Sequence, residues 1–433
     1  MPNIPLTRET AATGDVANTG SAIAVPGRRP DEEARVSPVT PRTPGRTLPR
    51  AGLVAVLAGG MILTGCARTA ASAPVPTLEG EGVEIIVGTH ANAPAPVLPP
   101  QVVAEVAEAV DAEKFIGVIA VEGKPRELQR PLPMSVTGDT PSARRQSDRV
   151  NTAAVGRLVL DTAPATRGAD LLGALVLAAK AAKAAAVPIH RLVAIDNGLS
   201  DTGPLDFTTP GLADADPNDV VSTLTRAHVL GAHTFEGLSV DLIGLGTTVA
   251  APQPRLPQAQ VRRLEAIYCA IVRAGGGVPT IIASARTGPP VRTSLTVDVV
   301  PADGGTVALG GTTALGDGSS VAFGPGTAVF RDAAAARALL RPVAEWLRPG
   351  SGHRAVLVGT TSSAGTSSQT ADLALSQARA NAVKDLLVEL GADPARITAE
   401  GKGYIAQPAD RIDGVLDPAK AAQNRIVRIT TIR

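Results

Sequence analysis

At 433 residues the chain is long enough for two domains plus tails, and its formal net charge of +1 gives no electrostatic case for a nucleic-acid partner. Aromatic residues make up only 2 %, which leaves few platforms on which bases or sugars could stack. Cysteine occurs only at 66 and 269, so no framework of several disulfides can staple the chain.

Residues 1–50 are rich in Pro, Thr, Gly and Arg without any sustained period. They read as a disordered tail, or as untranslated if the start lies lower down, at Val36 or Val39. The apolar run Ala51–Leu63 follows, flanked by Arg42, Arg46 and Arg50. As a helix it would reach roughly 20 Å, short of the ~30 Å hydrocarbon core, and Gly59 and Gly60 weaken it further. Such a run is expected to be a signal h-region, not a span. It leads into Leu63-Thr64-Gly65-Cys66, which resembles the lipobox of bacterial lipoproteins. The resemblance implies that residues 51–65 are the signal and that Cys66 is the lipidation site. The mature chain would then be membrane-anchored, facing the extracytoplasmic side. Ala67 stands where a retention aspartate would, and residues 66–82 form a linker. With Cys66 lipidated, Cys269 is expected to be an unpaired, inert core thiol within the helical pattern Leu264, Ile267, Tyr268, Ile271, Val272.

Strand-like and helix-like patterns alternate over residues 83–283. Strands are expected at Val83–Val87, Phe115–Val121, Gly156–Asp161, Arg191–Asp196 and Leu238–Leu245. Helices are expected at Gln101–Ala112, Gly168–Val187, Pro217–Leu230 and Pro257–Ala274. Glu122–Arg149, polar and broken by Pro125, Pro131 and Pro133, reads as an excursion. The alternation predicts an α/β, three-layer domain built on a parallel sheet. Its strand–helix order, with Ala194-Ile195-Asp196-Asn197-Gly198 after the fourth strand, resembles a von Willebrand factor type A-like domain. Metal-binding members carry Asp-x-Ser-x-Ser after the first strand, where this chain has Gly88-Thr89-His90-Ala91-Asn92. Without a carboxylate there, no metal site is expected, and Asp196 is expected to cap a loop. Residues 284–313 read as a junction, with a strand-like patch and possible hairpin at Ser294–Val300.

From residue 314 to 433 the order becomes strand, helix, strand, helix, strand, long loop, strand, an α+β domain with a mixed sheet. A helix over Asp332–Leu347 contains Pro342, which should bend it or leave a carbonyl unpaired. The helix Asp372–Leu390, ended by Gly391 as a left-handed cap, places Leu375, Ala378, Ala382, Val383, Leu386 and Leu390 on one face. Arg379 falls in that same stripe, so it either meets a buried carboxylate of its own protein or awaits an anionic ligand. Gly359-Thr360-Thr361, Gly365, Leu375-Ser376-Gln377-Ala378-Arg379-Ala380, Gly401-Lys402-Gly403, Pro408 and Ala422-Gln423-Asn424-Arg425 together resemble the OmpA-like family of peptidoglycan-binding domains. The resemblance implies that Arg379, Thr361, Ser362, Asp372 and Asn424 face the diaminopimelate end of a stem peptide. Ser362 stands where the family has an aspartate, and Asp372 is a candidate to restore that charge.

The resulting expectation is a lipoprotein that joins membrane to wall, with peptidoglycan as partner, a further envelope protein on the middle domain, and no cofactor. The alternative is an envelope scaffold whose OmpA-like domain has lost wall binding. The five histidines, His90, His190, His228, His233 and His353, are scattered and read as solvated loop residues, so no enzyme is expected.

Overall fold

The computed structural model describes residues 68–69, 82–249, 252–283, 288–302, 305–364, 368–405 and 408–433. The tail, the apolar run and Cys66 lie outside them. No helix among the described residues is long and apolar enough to cross a membrane.

Strands rich in Val, Ile and Ala build one seven-stranded sheet. In chain order the elements are β1 (Arg68–Thr69), β2 (Gly82–Gly88), α1 (Pro100–Asp111), β3 (Phe115–Val121), β4 (Arg126–Pro133), α2 (Pro141–Leu160) and α3 (Leu171–Ala184). Then come β5 (Arg191–Ile195), α4 (Pro217–Arg226), β6 (Ser239–Ile243), α5 (Gln258–Ala274) and β7 (Val278–Ile282). The strand order is β1-β7-β6-β5-β2-β3-β4, parallel throughout except for β4, which runs antiparallel to β3. Both faces are covered, so β2 is buried along its whole length. On one face Ile86, Ile119, Leu192 and Leu242 pack with Leu171 and Leu175 of α3 and Leu264 and Ile267 of α5. On the other, Ile85, Val118 and Val193 pack with Val102 and Val106 of α1 and Val155 and Val159 of α2. This is the three-layer α/β arrangement that the alternation predicts.

Particular stretches differ from expectation. Gly156–Asp161 is not a strand but the end of α2, whose Val155 and Val159 are buried one helical turn apart. The excursion Glu122–Arg149 supplies β4, where prolines are tolerated because an edge strand leaves one side of its backbone unpaired. Ser294–Val300 is not a strand or hairpin. Its backbone is held by the α/β region instead: Gly168 N donates to Thr296 O (3.2 Å), Asp298 N to Asp201 Oδ2 (2.6 Å) and Val300 N to Gln253 Oε1 (2.9 Å). Cys269, buried on α5, is disulfide-bonded, which corrects the expectation of an unpaired thiol.

The sheet reverses its winding direction between β2 and β5, and His90 lies buried in that crevice, not solvated. Its Nε2 is 2.6 Å from Asp196 Oδ2 and its Nδ1 is 2.5 Å from Asn92 Oδ1. Asp196 also caps the loop as expected, its Oδ1 accepting from Gly198 N at 2.7 Å. His190, His228 and His233 are exposed.

The C-terminal region contains β8 (Thr312–Leu315), α6 (Ala333–Trp346), β9 (Arg354–Thr361), α7 (Gln369–Glu389), β10 (Ile397–Tyr404), the short hairpin β11 (Arg411–Ile412) and β12 (Val415–Leu416), α8 (Pro418–Asn424) and β13 (Val427–Ile432). Its sheet order is β10-β9-β13-β8, with only β10 and β9 parallel, a mixed sheet as expected. Leu340 and Val343 of α6 and Val383 and Leu387 of α7 pack on Leu357 and Ile429. The helix α6 runs on through Pro342. Gly391 ends α7 with a positive φ of 101°.

Candidate binding site

The site forms where β9, α7 and the end of α8 meet. The close approach of α7 to the sheet fixes it. A Cβ on Gly359 would lie 2.2 Å from Ser376 O, and one on Gly401 2.3 Å from Gln377 N, so only glycine fits at either place. Ser376, fully buried, accepts from Gly403 N (2.8 Å) and donates to Leu373 O (2.9 Å). The inward stripe of α7 is therefore Ser376, Arg379, Ala380, Val383, Leu386 and Leu387, while Ala378 is exposed.

Arg379 is buried, as its place in the pattern requires. Its Nε donates to Thr327 O (2.9 Å) and its Nη2 reaches Gly324 O at 3.4 Å. The guanidinium also lies 5.4 Å from the ring centroid of Phe323, within cation–π range. Burial lowers its pKa, Asp317 opposes the shift, and the like charge of Arg425 adds to it. Asp317, before α6, is thus a carboxylate that acts on Arg379; Asp372 is half-buried in the first turn of α7. Asp317 is itself buried, which raises its pKa against the pull of Arg263, Arg425 and Arg379, and it lies 3.6 Å from both Arg263 Nη2 and Arg331 Nη2.

Thr361 ends β9, and its buried Oγ1 has no hydrogen-bond partner among the described residues. Ser362 Oγ accepts from Arg425 Nε at 2.8 Å. Asn424 is buried: its main-chain O accepts from Thr360 Oγ1 (2.6 Å), its Nδ2 donates to Pro408 O (2.9 Å) and Asp410 Oδ2 (3.2 Å), and its Oδ1 has no partner among the described residues. Arg425 Nη1 is likewise buried without one. The structure thus brings Thr361, Ser362 and Asn424 together in one corner, with Arg379 close enough to feel the charge of Arg425. Cys66 lies outside the described residues.

Two groups in this corner are not among the site residues that the resemblance implies. Arg425 follows Asn424 directly, and only its folded position shows it against Ser362. Asp410 comes from the long loop after β10 and is fully buried, accepting from Ser363 N (2.8 Å) and Ser363 Oγ (2.6 Å). Burial acts to raise its pKa, but the Ser363, Tyr404 and Asn424 hydrogen bonds outweigh this and the net shift is downward. No local spacing announces a partner 47 residues away along the chain.

Residues 322–424 match the family model described as OmpA family. The C-terminal region is an OmpA-like domain. Solved structures similar to the OmpA-like domain include the peptidoglycan-associated lipoprotein from Burkholderia pseudomallei, at 28 % identity over 28 % of this chain and 87 % of that one, TM-score 0.22. Another is the cell wall anchor of the T6SS from Pseudomonas aeruginosa, at 27 % identity over 28 % and 79 % of the two chains, TM-score 0.23. Comparison with curated proteins gives no match. Among the described residues no three His, Cys, Asp or Glu side chains are grouped as a metal site.

Proposed function

We propose that this is a cell-envelope protein that holds peptidoglycan non-covalently through its OmpA-like domain and is attached to a membrane by lipid on Cys66. The wall reading is carried by three buried polar atoms that have no partner among the described residues, Thr361 Oγ1, Asn424 Oδ1 and Arg425 Nη1, on neighbouring elements at the OmpA-like domain. Guanidinium donors suit a carboxylate and an amide oxygen suits an ammonium, so the corner fits a zwitterionic group. Diaminopimelate at the end of a stem peptide is such a group, and it is what the resemblance of the motifs implies. Sedimentation with purified peptidoglycan tests this. Co-pelleting of the wild type that falls on Arg379→Ala is expected; no pelleting by the wild type refutes it and leaves the envelope-scaffold reading.

Two chemistries compete for Cys66. Cys269 is disulfide-bonded, and a Cys66 thiol that took lipid could not also enter a disulfide. Both belong outside the cytoplasm, because disulfides persist in oxidising compartments and lipoprotein processing follows export. Mass spectrometry of the unreduced membrane fraction separates them. An acylated peptide beginning at Cys66 supports the anchor; a Cys66–Cys269 cross-linked peptide refutes the anchor and leaves wall binding standing.

For residues 83–283 the reading is a von Willebrand factor type A-like domain that recruits a further envelope protein. Its support is the strand order with an antiparallel β4 edge, and Asp196 following β5. The role is one of binding, with no catalytic step.

A further inference from the structure

The corner of the OmpA-like domain is not closed by its own residues alone. Arg425 reaches the α/β region, where its Nη2 donates to Asp219 Oδ2 at 2.5 Å while its Nε holds Ser362 Oγ at 2.8 Å. Asp219 sits in the first turn of α4, where the helix N-terminus favours a negative charge, and Asp216 caps that turn by accepting from Asn218 N at 2.9 Å. The two side chains are only 14 % and 19 % exposed, so the pair is partly shielded from water. Gln423 Nε2, donating to Pro210 O at 2.5 Å, pins α8 to the same region.

A carboxylate takes a guanidinium best through two parallel N–H bonds. The two edges of Arg425 that offer such a fork are Nε with Nη2 and Nη1 with Nη2. Both include the nitrogen that Asp219 holds, and the remaining nitrogen, Nη1, is buried without a partner among the described residues.

We propose that Asp219 is an internal stand-in for the ligand carboxylate, so that a carboxylate-bearing peptide binds the corner by taking Arg425 away from α4. Wall binding and the docking of α4 against α8 then oppose each other, and by linkage each weakens the other to the same degree. This inference rests on the reading that the corner binds a stem peptide.

The test is calorimetric titration of the full chain with a soluble muropeptide ending in diaminopimelate, for wild type, Asp219→Asn and Arg379→Ala. Asp219→Asn keeps the side-chain shape, removes the competing charge, and is expected to tighten binding by roughly three- to tenfold. Hydrogen exchange gives a second readout on the unaltered protein: amides of α4 are expected to exchange faster when the muropeptide saturates the chain. Equal affinity of wild type and Asp219→Asn, with Arg379→Ala weakened and α4 exchange unchanged, overturns the competition while the wall reading survives. Binding by neither wild type nor Asp219→Asn overturns both. Binding by Asp219→Asn alone supports the competition in its strongest form.

Discussion

Replacing Glu84 by glutamine is expected to flatten the pH dependence of the stability of the α/β region. Glu84 lies within β2, fully buried, and neither of its oxygens has a hydrogen-bond partner among the described residues. Room for it exists only because its cross-strand neighbour is Gly117, where a Cβ would lie 2.1 Å from Glu84 Oε2. Burial first, and the charge of Glu127 second, push its pKa from 4.5 up to about 8. The folded protein therefore holds this proton over a range in which the unfolded chain has released it. Stability is fullest below pH 4.5 and is lost as pH rises toward the folded value of about 8. The slope is about 1.4 kcal/mol per pH unit, which accumulates to roughly 3 kcal/mol at neutral pH. Glutamine cannot ionise, so its cost as an unpaired amide is the same at every pH. Urea unfolding of both proteins at several values from pH 5 to 8, followed by far-UV circular dichroism, gives the difference in stability at each. The gap is expected to move in favour of Glu84→Gln as pH rises. Parallel profiles across that range would show that Glu84 is either solvated or paired, and would refute the reasoning.

Arg191 on β5 bridges Glu105 of α1 (2.5 Å) and Asp241 of β6 (2.7 Å) in the other core. Arg191→Ala strands two buried carboxylates whose pKa values burial already raises, and is expected to cost about 3–5 kcal/mol, read as a lowered denaturation midpoint. Arg379→Lys keeps the charge but cannot reproduce the planar fork, so peptidoglycan co-pelleting is expected to fall about tenfold or more. Asp410→Asn is expected to cost roughly 1–3 kcal/mol through loss of charge-assisted acceptors for Ser363. Because the pKa of Asp410 is lowered on folding, its contribution is present above pH 3.8 and is lost as pH falls through the lower folded value. The wild-type and Asp410→Asn stability profiles should therefore converge in acid.

What the sequence makes legible depends on how local the signal is. The place of Arg379 on the buried side of α7 follows from helical period alone. The identity of its inward neighbours does not, because Ser376 and Ala380 are inside for a reason that lives on other strands, the bare backbone at Gly359 and Gly401. No local pattern marks the strand β7: it is short, contains Pro279 and follows three glycines, yet the edge it shares with β6 is enough to order it. His90 looks like a loop histidine because nothing near it in the chain reveals Asp196, which arrives from β5. Asp410, Asp317 and Asp219 belong to the same class, carboxylates whose partners are set by tertiary approach. Glu84 is different again. A charged residue among valines and isoleucines is visible in the sequence, but whether it finds a partner is visible only in the fold.

The stretch 288–302 between the two regions has its own mechanical meaning. Thr296, Asp298 and Val300 are fastened to the loops at the carboxyl ends of the strands, so this part of the connection is tied down and not free. A load passed along the main chain from the C-terminal half would meet those few hydrogen bonds before it reached the strands of the sheet.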